Sequence, residues 1–387
     1  MSASHTSQVY FDNAATTKLC AEALETFMQT SEQLYANPNS AHALGFAAER
    51  ALDGCRTRTA ELLCSNCEVL FTSSGSAANS FAMLGVMQGF GLKPRRRRLI
   101  SSLAEHSSVR SVCKYFESAG YEVLYLPLDH EGNINLHDLE AALDEHDALV
   151  SLMYVNNETG VISDIEAIYK VVKGKNQRSI LHVDGVAGFG KHSIDMRYVD
   201  VLTFASHKIN GPKGVGGLCF AKSIGPLFHA RKDSGGIADV LRNGTPDLPA
   251  IAACTKAAEL AHENMSNNAF HVARIKEYIE EQTRDMERAV NGGGNVSPYI
   301  LNMSFAGVTA ETLINQLSSR GIYVAAGSSC NSRIADKNIL RHYGLAKERV
   351  EGSVRLSFSS SNTMDEAARF VEELEAAIRV LRKFGKR

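Results

Sequence analysis

A lysine and an aspartate each close a short apolar segment, and their residue types suggest covalent cofactor chemistry. Lys208 ends the run Thr203-Phe-Ala-Ser-His-Lys208, and Asp184 ends His182-Val-Asp184, 24 residues earlier. A lysine amine can form a Schiff base with an aldehyde cofactor and can also move protons. Pyridoxal phosphate needs an acid beside its pyridine nitrogen, because the protonated ring accepts electrons. The pair therefore predicts a pyridoxal phosphate enzyme.

A possible phosphate cradle lies upstream of this pair. The segment Phe71-Thr-Ser-Ser-Gly75-Ser76-Ala-Ala-Asn79 has the pattern of a strand that passes through small hydroxyl residues into a helix. Backbone N–H groups at the start of such a helix, together with the Ser76 hydroxyl, can hold a phosphate dianion. An ordinary serine-capped helix explains the same pattern, so both interpretations stay open at this point.

The elements that must position these residues have the pattern of an α/β domain. Between residues 69 and 220, β-branched strands alternate with helical segments, which indicates a largely parallel sheet with helices on both faces. Ligands of such sheets bind beyond the carboxyl ends of the strands. The predicted strands are 69–72, 99–101, 122–126, 148–155, 180–184, 201–205 and 216–220, and the predicted helices are 77–88, 107–119, 136–146 and 165–173.

A second, smaller α+β unit is predicted after residue 247. Its helices are expected at 248–264, 270–290, 310–321 and 363–384, its strands at 299–305 and 354–358, and a Gly/Ser-rich loop at 327–332. We predict a large cofactor-binding domain over 17–262. The small domain combines 1–16 with 263–387 and carries the loop of Cys330.

Composition narrows the class of protein. The chain has 387 residues and a formal net charge of −2, so no global field favours nucleic acid or an anionic membrane. No segment approaches the roughly 20 apolar residues of a membrane span. Eight scattered cysteines are typical of a reducing compartment, and we expect a cytoplasmic enzyme. For Cys64-Ser-Asn-Cys67 we expect a helix end followed by a turn, without metal or redox use, and we predict no metal site.

Ordered motifs along nearly the whole chain resemble those of cysteine desulfurases of the NifS/IscS type, in class V of the fold type I aminotransferase superfamily. That resemblance implies a mostly parallel seven-stranded sheet sandwiched by helices, with a smaller α+β domain. Besides the segments above, the motifs are Tyr10-Phe-Asp-Asn-Ala-Ala-Thr-Thr17, Asn37-Pro-Asn-Ser40-Ala-His42, Glu105-His106-Ser, Val155-Asn-Asn157-Glu-Thr-Gly-Val161, Arg242-Asn-Gly-Thr245, Gly327-Ser-Ser-Cys330 and Val354-Arg355-Leu-Ser-Phe.

The resemblance implies a role for each matching residue. Lys208 is expected to carry pyridoxal 5'-phosphate, with Asp184 at the pyridine nitrogen and His106 on the ring face. The expected phosphate ligands are Gly75, Ser76, Ser206, His207 and, from the opposite subunit of a homodimer, Thr245. Asn157 is expected to contact cofactor or substrate, and Arg355, Asn157 and Ala14 the substrate.

The implied reaction converts L-cysteine to L-alanine and leaves a persulfide on Cys330. A sulfur-acceptor or scaffold protein, for example in iron–sulfur cluster assembly, is expected to take the sulfur. Cys330 precedes Arg355 by 25 residues. That interval resembles the desulfurases with a long cysteine loop that serve scaffold proteins.

Four positions depart from the family pattern. The usual glutamine after the ring aspartate is Ala187, the usual serine before His-Lys is Ala205, an acidic residue of the phosphate loop is Ala77, and the usual Gly-Gly-x-Gln-Glu reads Gly235-Gly-Ile-Ala-Asp239. Two alternatives therefore stay open. One is a divergent class V lyase acting on selenocysteine or cystine. The other is a weakly active or silent paralogue that serves as a partner scaffold.

Overall fold

A computed structural model describes residues 8–64, 66–89, 98–228, 244–326 and 339–384. In chain order its helices are α1 (Ala21–Gln33), α2 (Ala43–Glu61), α3 (Gly75–Gly89), α4 (Ser107–Ser118), α5 (Leu136–Ala142), α6 (Ile165–Lys175), α7 (Leu248–Glu263), α8 (Met265–Gln282), α9 (Ala310–Ser318), α10 (Ile339–His342), α11 (Lys347–Glu351) and α12 (Met364–Phe384). Its strands are β1 (Val9–Tyr10), β2 (Cys67–Thr72), β3 (Arg98–Ser102), β4 (Glu122–Leu126), β5 (Asp147–Met153), β6 (Ile180–Asp184), β7 (Val201–Ala205), β8 (Gly216–Ala221), β9 (Arg288–Val290), β10 (Ile300–Phe305), β11 (Ile322–Tyr323), β12 (Ala325–Ala326) and β13 (Ser353–Ser357).

A seven-stranded sheet forms the centre of the larger unit, in the order β2-β8-β7-β6-β5-β3-β4. Its pairs are parallel except at β8, which runs antiparallel to both neighbours. One hydrophobic cluster joins the sheet to α3 and α4, and another joins it to α2, α6 and α7. Because both faces are covered, the central strands are fully buried and mostly apolar, with buried polar residues such as His182 and Thr203 among them. The predicted α/β class and mostly parallel sheet are confirmed.

The carboxyl ends of six strands meet at one edge of this sheet, because all its strands except β8 run in the same direction. β6 ends at Asp184, and β7 leads into a 3₁₀ turn, Ser206–Lys208. β2 leads into α3 at Gly75, and β3 leads to His106. The topology therefore gathers candidate residues that lie far apart in the sequence.

The smaller unit has a hydrophobic core of its own. Its sheet has the order β12-β13-β10-β9, with antiparallel pairs, while β1 pairs in parallel with β11. The ring of Phe11 packs edge-on against Phe358 and Phe370, with centroids 5.2 and 5.7 Å apart. The chain's beginning thus packs with its end. The division into 17–262 and 1–16 with 263–387 stays a prediction, and these separate cores support it.

One predicted helix is wrong at both ends. The helical pattern over 270–290 corresponds to α8, which starts earlier and ends at Gln282, whereas Arg288–Val290 forms β9. Glu287 has a φ of 47°, a left-handed conformation that reverses the chain before the strand. β9 then obtains its backbone partners from β10, so pairing between distant segments overrides the local helical pattern.

The cysteines also correct one expectation. α2 ends at Glu61 and a turn follows, as predicted, but Cys64 and Cys67 are joined by a disulfide that the sequence analysis did not expect. Their Cα atoms are 5.8 Å apart, which is ordinary for a disulfide. Within the described ranges the free thiols are Cys20, Cys55, Cys113, Cys219 and Cys254.

Several predictions fall on residues that lie outside the described part of the chain. These are Cys330 with the loop 327–332, and residues 235–239. Among the described helices, none combines the length and apolar composition that crossing a membrane requires.

Candidate active site

Asp184 places a buried carboxylate at the end of β6. Its side chain accepts hydrogen bonds from the Asn79 amide, at 2.8 Å, and from the backbone N–H of Val186, at 3.0 Å. Asn79 is itself held by the hydroxyl of Thr203 on β7. Burial raises the pKa of Asp184, and the charges of His106 and Lys208 act in the opposite direction. The carboxylate is therefore fixed in position, but the nearby positive charges do not fully offset the effect of burial on its pKa.

Lys208 lies beside the turn at residues 13–15. Its Nζ donates to the backbone carbonyls of Ala14 and Ala15, the latter at 2.9 Å. Desolvation and the nearby guanidinium of Arg355 lower the pKa of Lys208 to about 8. A larger share of the amine is consequently unprotonated near neutral pH than for an exposed lysine, and the unprotonated form is the nucleophile.

His207 anchors the same turn to the start of the chain. Its backbone carbonyl accepts from the N–H of Thr17 at 2.8 Å and from the Thr17 hydroxyl at 2.9 Å, and its ring is 3.2 Å from the Thr16 hydroxyl. Burial and the charge of Lys208 lower the pKa of His207 to about 4. The ring is thus neutral at physiological pH and offers a hydrogen-bond donor rather than a charge.

His106 begins α4 and lies within electrostatic reach of both Asp184 and Lys208. Its Nδ1 accepts from the backbone N–H of Ser108 at 3.2 Å, which orients the ring as a helix cap. Glu105, beside it, accepts from the N–H of Met153 at 2.9 Å and from the Ser102 hydroxyl at 2.7 Å. These contacts tie the ends of β3 and β5 together behind the imidazole.

The start of α3 forms a close-packed cradle. A Cβ on Gly75 would come within 2.9 Å of Val186 and 3.0 Å of Ala205, so the position requires a glycine. A Cβ on Gly216 would come within 2.5 Å of the Gly75 nitrogen. Ser76, the next helical residue, is exposed. The Ser74 hydroxyl accepts from the Ala77 N–H at 3.1 Å and so caps the helix. The N–H groups of Gly75 and Ser76 have no partner within the helix, so they can bind an anion at this point.

Arg355 is a nearly buried guanidinium on β13 at the small-unit side of the site, with 6% of its surface exposed. It donates to Asp12 at 2.8 Å and to Glu158 at 3.0 Å, and also to the backbone carbonyl of Asn157. Its Nε has no hydrogen-bond partner within the described residues. The Asn157 side chain donates to Glu158 at 2.9 Å.

Two predicted ligands stand apart from this cluster. Ser206 is fully buried, and its hydroxyl lies against Cys254 and close to Gly211 rather than facing the Gly75 cradle. Its position does not support the expected contact with a phosphate group. Thr245 is exposed and accepts a hydrogen bond from the Asn37 side chain at 3.3 Å. Ala14 is brought to the cluster, since its carbonyl accepts from Lys208.

These residues fit pyridoxal phosphate. A reactive amine, a buried acid, an imidazole and the N-terminus of α3 lie around one sheet edge. Asp184 suits the pyridine nitrogen because a protonated ring would supply the positive charge that this buried carboxylate lacks. Arg355 is suited to bind a carboxylate through its planar guanidinium.

Three residues that organise the site have roles that were not predicted from the sequence. Asn79 holds Asp184, while Asp12 and Glu158 flank Arg355. Each was present in a quoted motif, but its role depends on a contact between distant segments. The signal for Asn79 was an amide four residues into the apolar helix α3, where a polar side chain needs a partner.

Comparison with known proteins gives a consistent result. The family model described as aminotransferase class-V matches residues 9–370. A NifS/IcsS protein homolog of Lactobacillus delbrueckii subsp. bulgaricus is 36% identical over 94% of this chain and 95% of its own length. A cysteine desulfurase of Trichormus azollae is 32% identical over 97% of this chain and 94% of its own length. A solved NifS-like protein superposes with a TM-score of 0.87 at 31% identity, covering 96% of this chain and 99% of that one. The chain therefore belongs to the class V aminotransferase family, among its NifS/IscS-type cysteine desulfurases.

Proposed function

We propose that this protein is a pyridoxal 5'-phosphate-dependent cysteine desulfurase that converts L-cysteine to L-alanine and passes the sulfur through Cys330 to an acceptor protein. The observation that carries the proposal is the meeting of Lys208, Asp184 and Arg355 around one sheet edge, in a chain that matches cysteine desulfurases along nearly its whole length. Membership of the class V aminotransferase family by itself implies dependence on pyridoxal phosphate.

Each residue has a distinct task in this proposal. The bound cofactor supplies an electron sink. Lys208 holds it covalently and moves the proton of the substrate Cα, and Asp184 keeps the ring nitrogen protonated. Arg355 binds the substrate carboxylate. The Cys330 thiolate forms a bond to the substrate sulfur as the C–S bond breaks, so that alanine leaves and a persulfide remains.

A homodimer is proposed from an exposed apolar surface on α1, α2 and their connection. We call this the α1–α2 surface. It carries large apolar side chains that are 47–72% exposed: Leu24, Met28, Tyr35, Leu44 and Phe46. Exposed apolar patches of this kind mark association surfaces. The hydrogen bond from Asn37 puts Thr245 at its edge, in keeping with a Thr245 that serves the partner's phosphate.

We place this activity in the cytoplasm, where a sulfur carrier would meet its acceptors. Support comes from the free thiols of the described residues, which suit a reducing compartment. Fractionation of cells that express the tagged protein tests this location, and recovery from an extracytoplasmic fraction would refute it.

Cofactor attachment should depend on Lys208 and on its lowered pKa. The rate at which pyridoxal phosphate attaches should rise with pH through about 8 and then level off, because the unprotonated amine is the nucleophile. Stopped-flow absorbance measures the rate, and mass spectrometry after borohydride reduction locates the adduct. Lys208→Ala should abolish it. Lys191→Met is the matched control, because Lys191 is another partly buried lysine lining the same 580 Å³ cavity. An adduct on Lys191 would refute the assignment.

Arg355→Lys should raise the KM for cysteine by about 10- to 100-fold, because a lysine cannot form the bidentate pair with a carboxylate. Steady-state assays of alanine formation measure this change, and an unaltered cofactor spectrum shows that the site is intact. Arg349→Lys is the control, since that guanidinium binds Asn291 and the Val290 carbonyl away from the cleft. A KM that matches that of the unsubstituted enzyme would exclude Arg355 as the carboxylate ligand.

Cys330→Ser separates the proposed reaction from the lyase and scaffold alternatives. Sulfide and alanine release from cysteine should fall at least about 100-fold while the cofactor spectrum persists, because the nucleophile is lost. Cys55→Ser, which removes a free thiol elsewhere, should retain activity. Retained turnover of selenocysteine or cystine by Cys330→Ser would instead identify a lyase. If the unsubstituted protein, loaded with cofactor, is inactive on cysteine, selenocysteine and cystine, only the scaffold role remains.

Met28→Asp should shift the sedimentation mass from two chains toward one, because a buried aspartate at the α1–α2 surface is strongly unfavourable. Phe270→Asp on α8 is the control, since Phe270 is 69% exposed outside that surface and its substitution should leave the dimer intact. A parent protein that sediments as one chain when loaded with cofactor would refute the dimer.

A further inference from the structure

We propose that Cys64 and Cys67 form a thiol–disulfide exchange site, separate from the desulfurase site, that is reduced by a dithiol. The dithiol is either a small molecule or a pair of cysteines on a protein. The inference rests on the bonded sulfurs and their surroundings, and it stands independently of the proposed function.

The disulfide lies where a reductant can reach it. Cys64 follows α2, and Cys67 is the first residue of β2, which is the edge strand of the large sheet. Both line an open 430 Å³ pocket between the end of α2 and this strand. Cys64 is partly exposed, whereas Cys67 is only 7% exposed. An incoming thiolate therefore meets the Cys64 sulfur first.

A structural staple is a poor explanation for this bond. The covalent loop spans only three peptide units, and stabilisation by a disulfide grows with the length of the loop that it closes. The joined segments are also held by packing already, since Leu52 and Ala60 of α2 share one hydrophobic cluster with Cys67 and Val69.

The charges at the pocket suit a departing thiolate. Arg56 and Lys222 line the same pocket as the two cysteines, together with the carboxylates of Glu61 and Glu68. Glu61 is engaged by Arg58 at 3.2 Å. Arg56 pairs with Asp53 through Nη1, but its buried Nε has no hydrogen-bond acceptor within the described residues. A neighbouring cation favours the thiolate over the thiol.

The exchange proceeds in two balanced steps. One thiolate of the dithiol attacks the Cys64 sulfur, so that a mixed disulfide forms and the bond to Cys67 breaks, leaving Cys67 as a thiolate. The second thiolate of the dithiol then attacks the other dithiol sulfur, which is bonded to Cys64 in the mixed disulfide. The bond to Cys64 breaks and Cys64 is released. Overall, two electrons and two protons pass to the protein, and the dithiol becomes a disulfide. Oxidation is the reverse reaction.

The test uses the folded, cofactor-loaded protein in mixtures of reduced and oxidised dithiothreitol. After maleimide quenching, mass spectrometry of the peptide that holds Cys64 and Cys67 should show zero or two labels, in a ratio that follows the buffer reversibly. Circular dichroism should stay native throughout. A pair that is reduced only after denaturant is added, or that never reoxidises, would overturn the proposal.

Single substitutions test which sulfur is attacked. The Cys64 thiol in Cys67→Ser should react with an aromatic disulfide reagent about tenfold faster than the Cys67 thiol in Cys64→Ser, because Cys64 is more accessible. Equal or reversed rates would refute the assigned order. Cys20→Ser is the control and should keep the exchange.

A final comparison distinguishes the two sources of the dithiol. Faster reduction by a thioredoxin than by dithiothreitol, at equal dithiol concentration, identifies a protein donor. Equal or slower reduction identifies a small-molecule dithiol. Both results show that exchange has occurred. Cysteine desulfurase activity should be unchanged in Cys64→Ser, which separates a failure of this site from a failure of the proposed function.

Discussion

The buried carboxylate of Asp184 is the constraint around which the site is organised. A carboxylate taken out of water costs several kcal/mol unless hydrogen bonds and positive charge offset the loss. Asn79 and the Val186 N–H supply the hydrogen bonds, and Thr203 fixes Asn79 in turn. Through these contacts, one buried acid links α3, β6 and β7. A protonated pyridine nitrogen is the kind of group that would complete this arrangement.

A short stretch at the start of the chain connects the two units through the reacting groups. Asp12 binds Arg355, the carbonyls of Ala14 and Ala15 accept from Lys208, and Thr17 holds the His207 carbonyl. β1 belongs to the core of the smaller unit, so this stretch leads from that core to the amine of Lys208. The guanidinium also lowers the pKa of Lys208, which couples carboxylate binding to the protonation state of the amine.

Alternation of strands and helices predicted most of the large sheet, because apolar β-branched segments are distinctive when both faces are covered. β4, β6 and β7 have the predicted bounds. The end of α8 could not be predicted in this way, since β9 exists through pairing with β10. The types of residue found at the ends of strands likewise predicted Asp184 and Lys208 as site residues. The partners of Arg355 were not predictable, because Asp12 and Glu158 approach it from segments 343 and 197 residues away.

The substitutions at Ala205 and Ser206 show how the cradle differs from the family pattern. β7 ends at Ala205 and Ser206 begins the 3₁₀ turn, so a hydroxyl moved by one residue leaves the strand and points in another direction. Ala205 faces Gly75, whereas the Ser206 hydroxyl is turned toward Cys254. His207 is neutral and adds no positive charge. A phosphate held here would therefore depend mainly on the backbone N–H groups and dipole at the start of α3. Backbone donors persist whatever side chain is present, which explains how the cradle can be retained with alanine at positions 77 and 205.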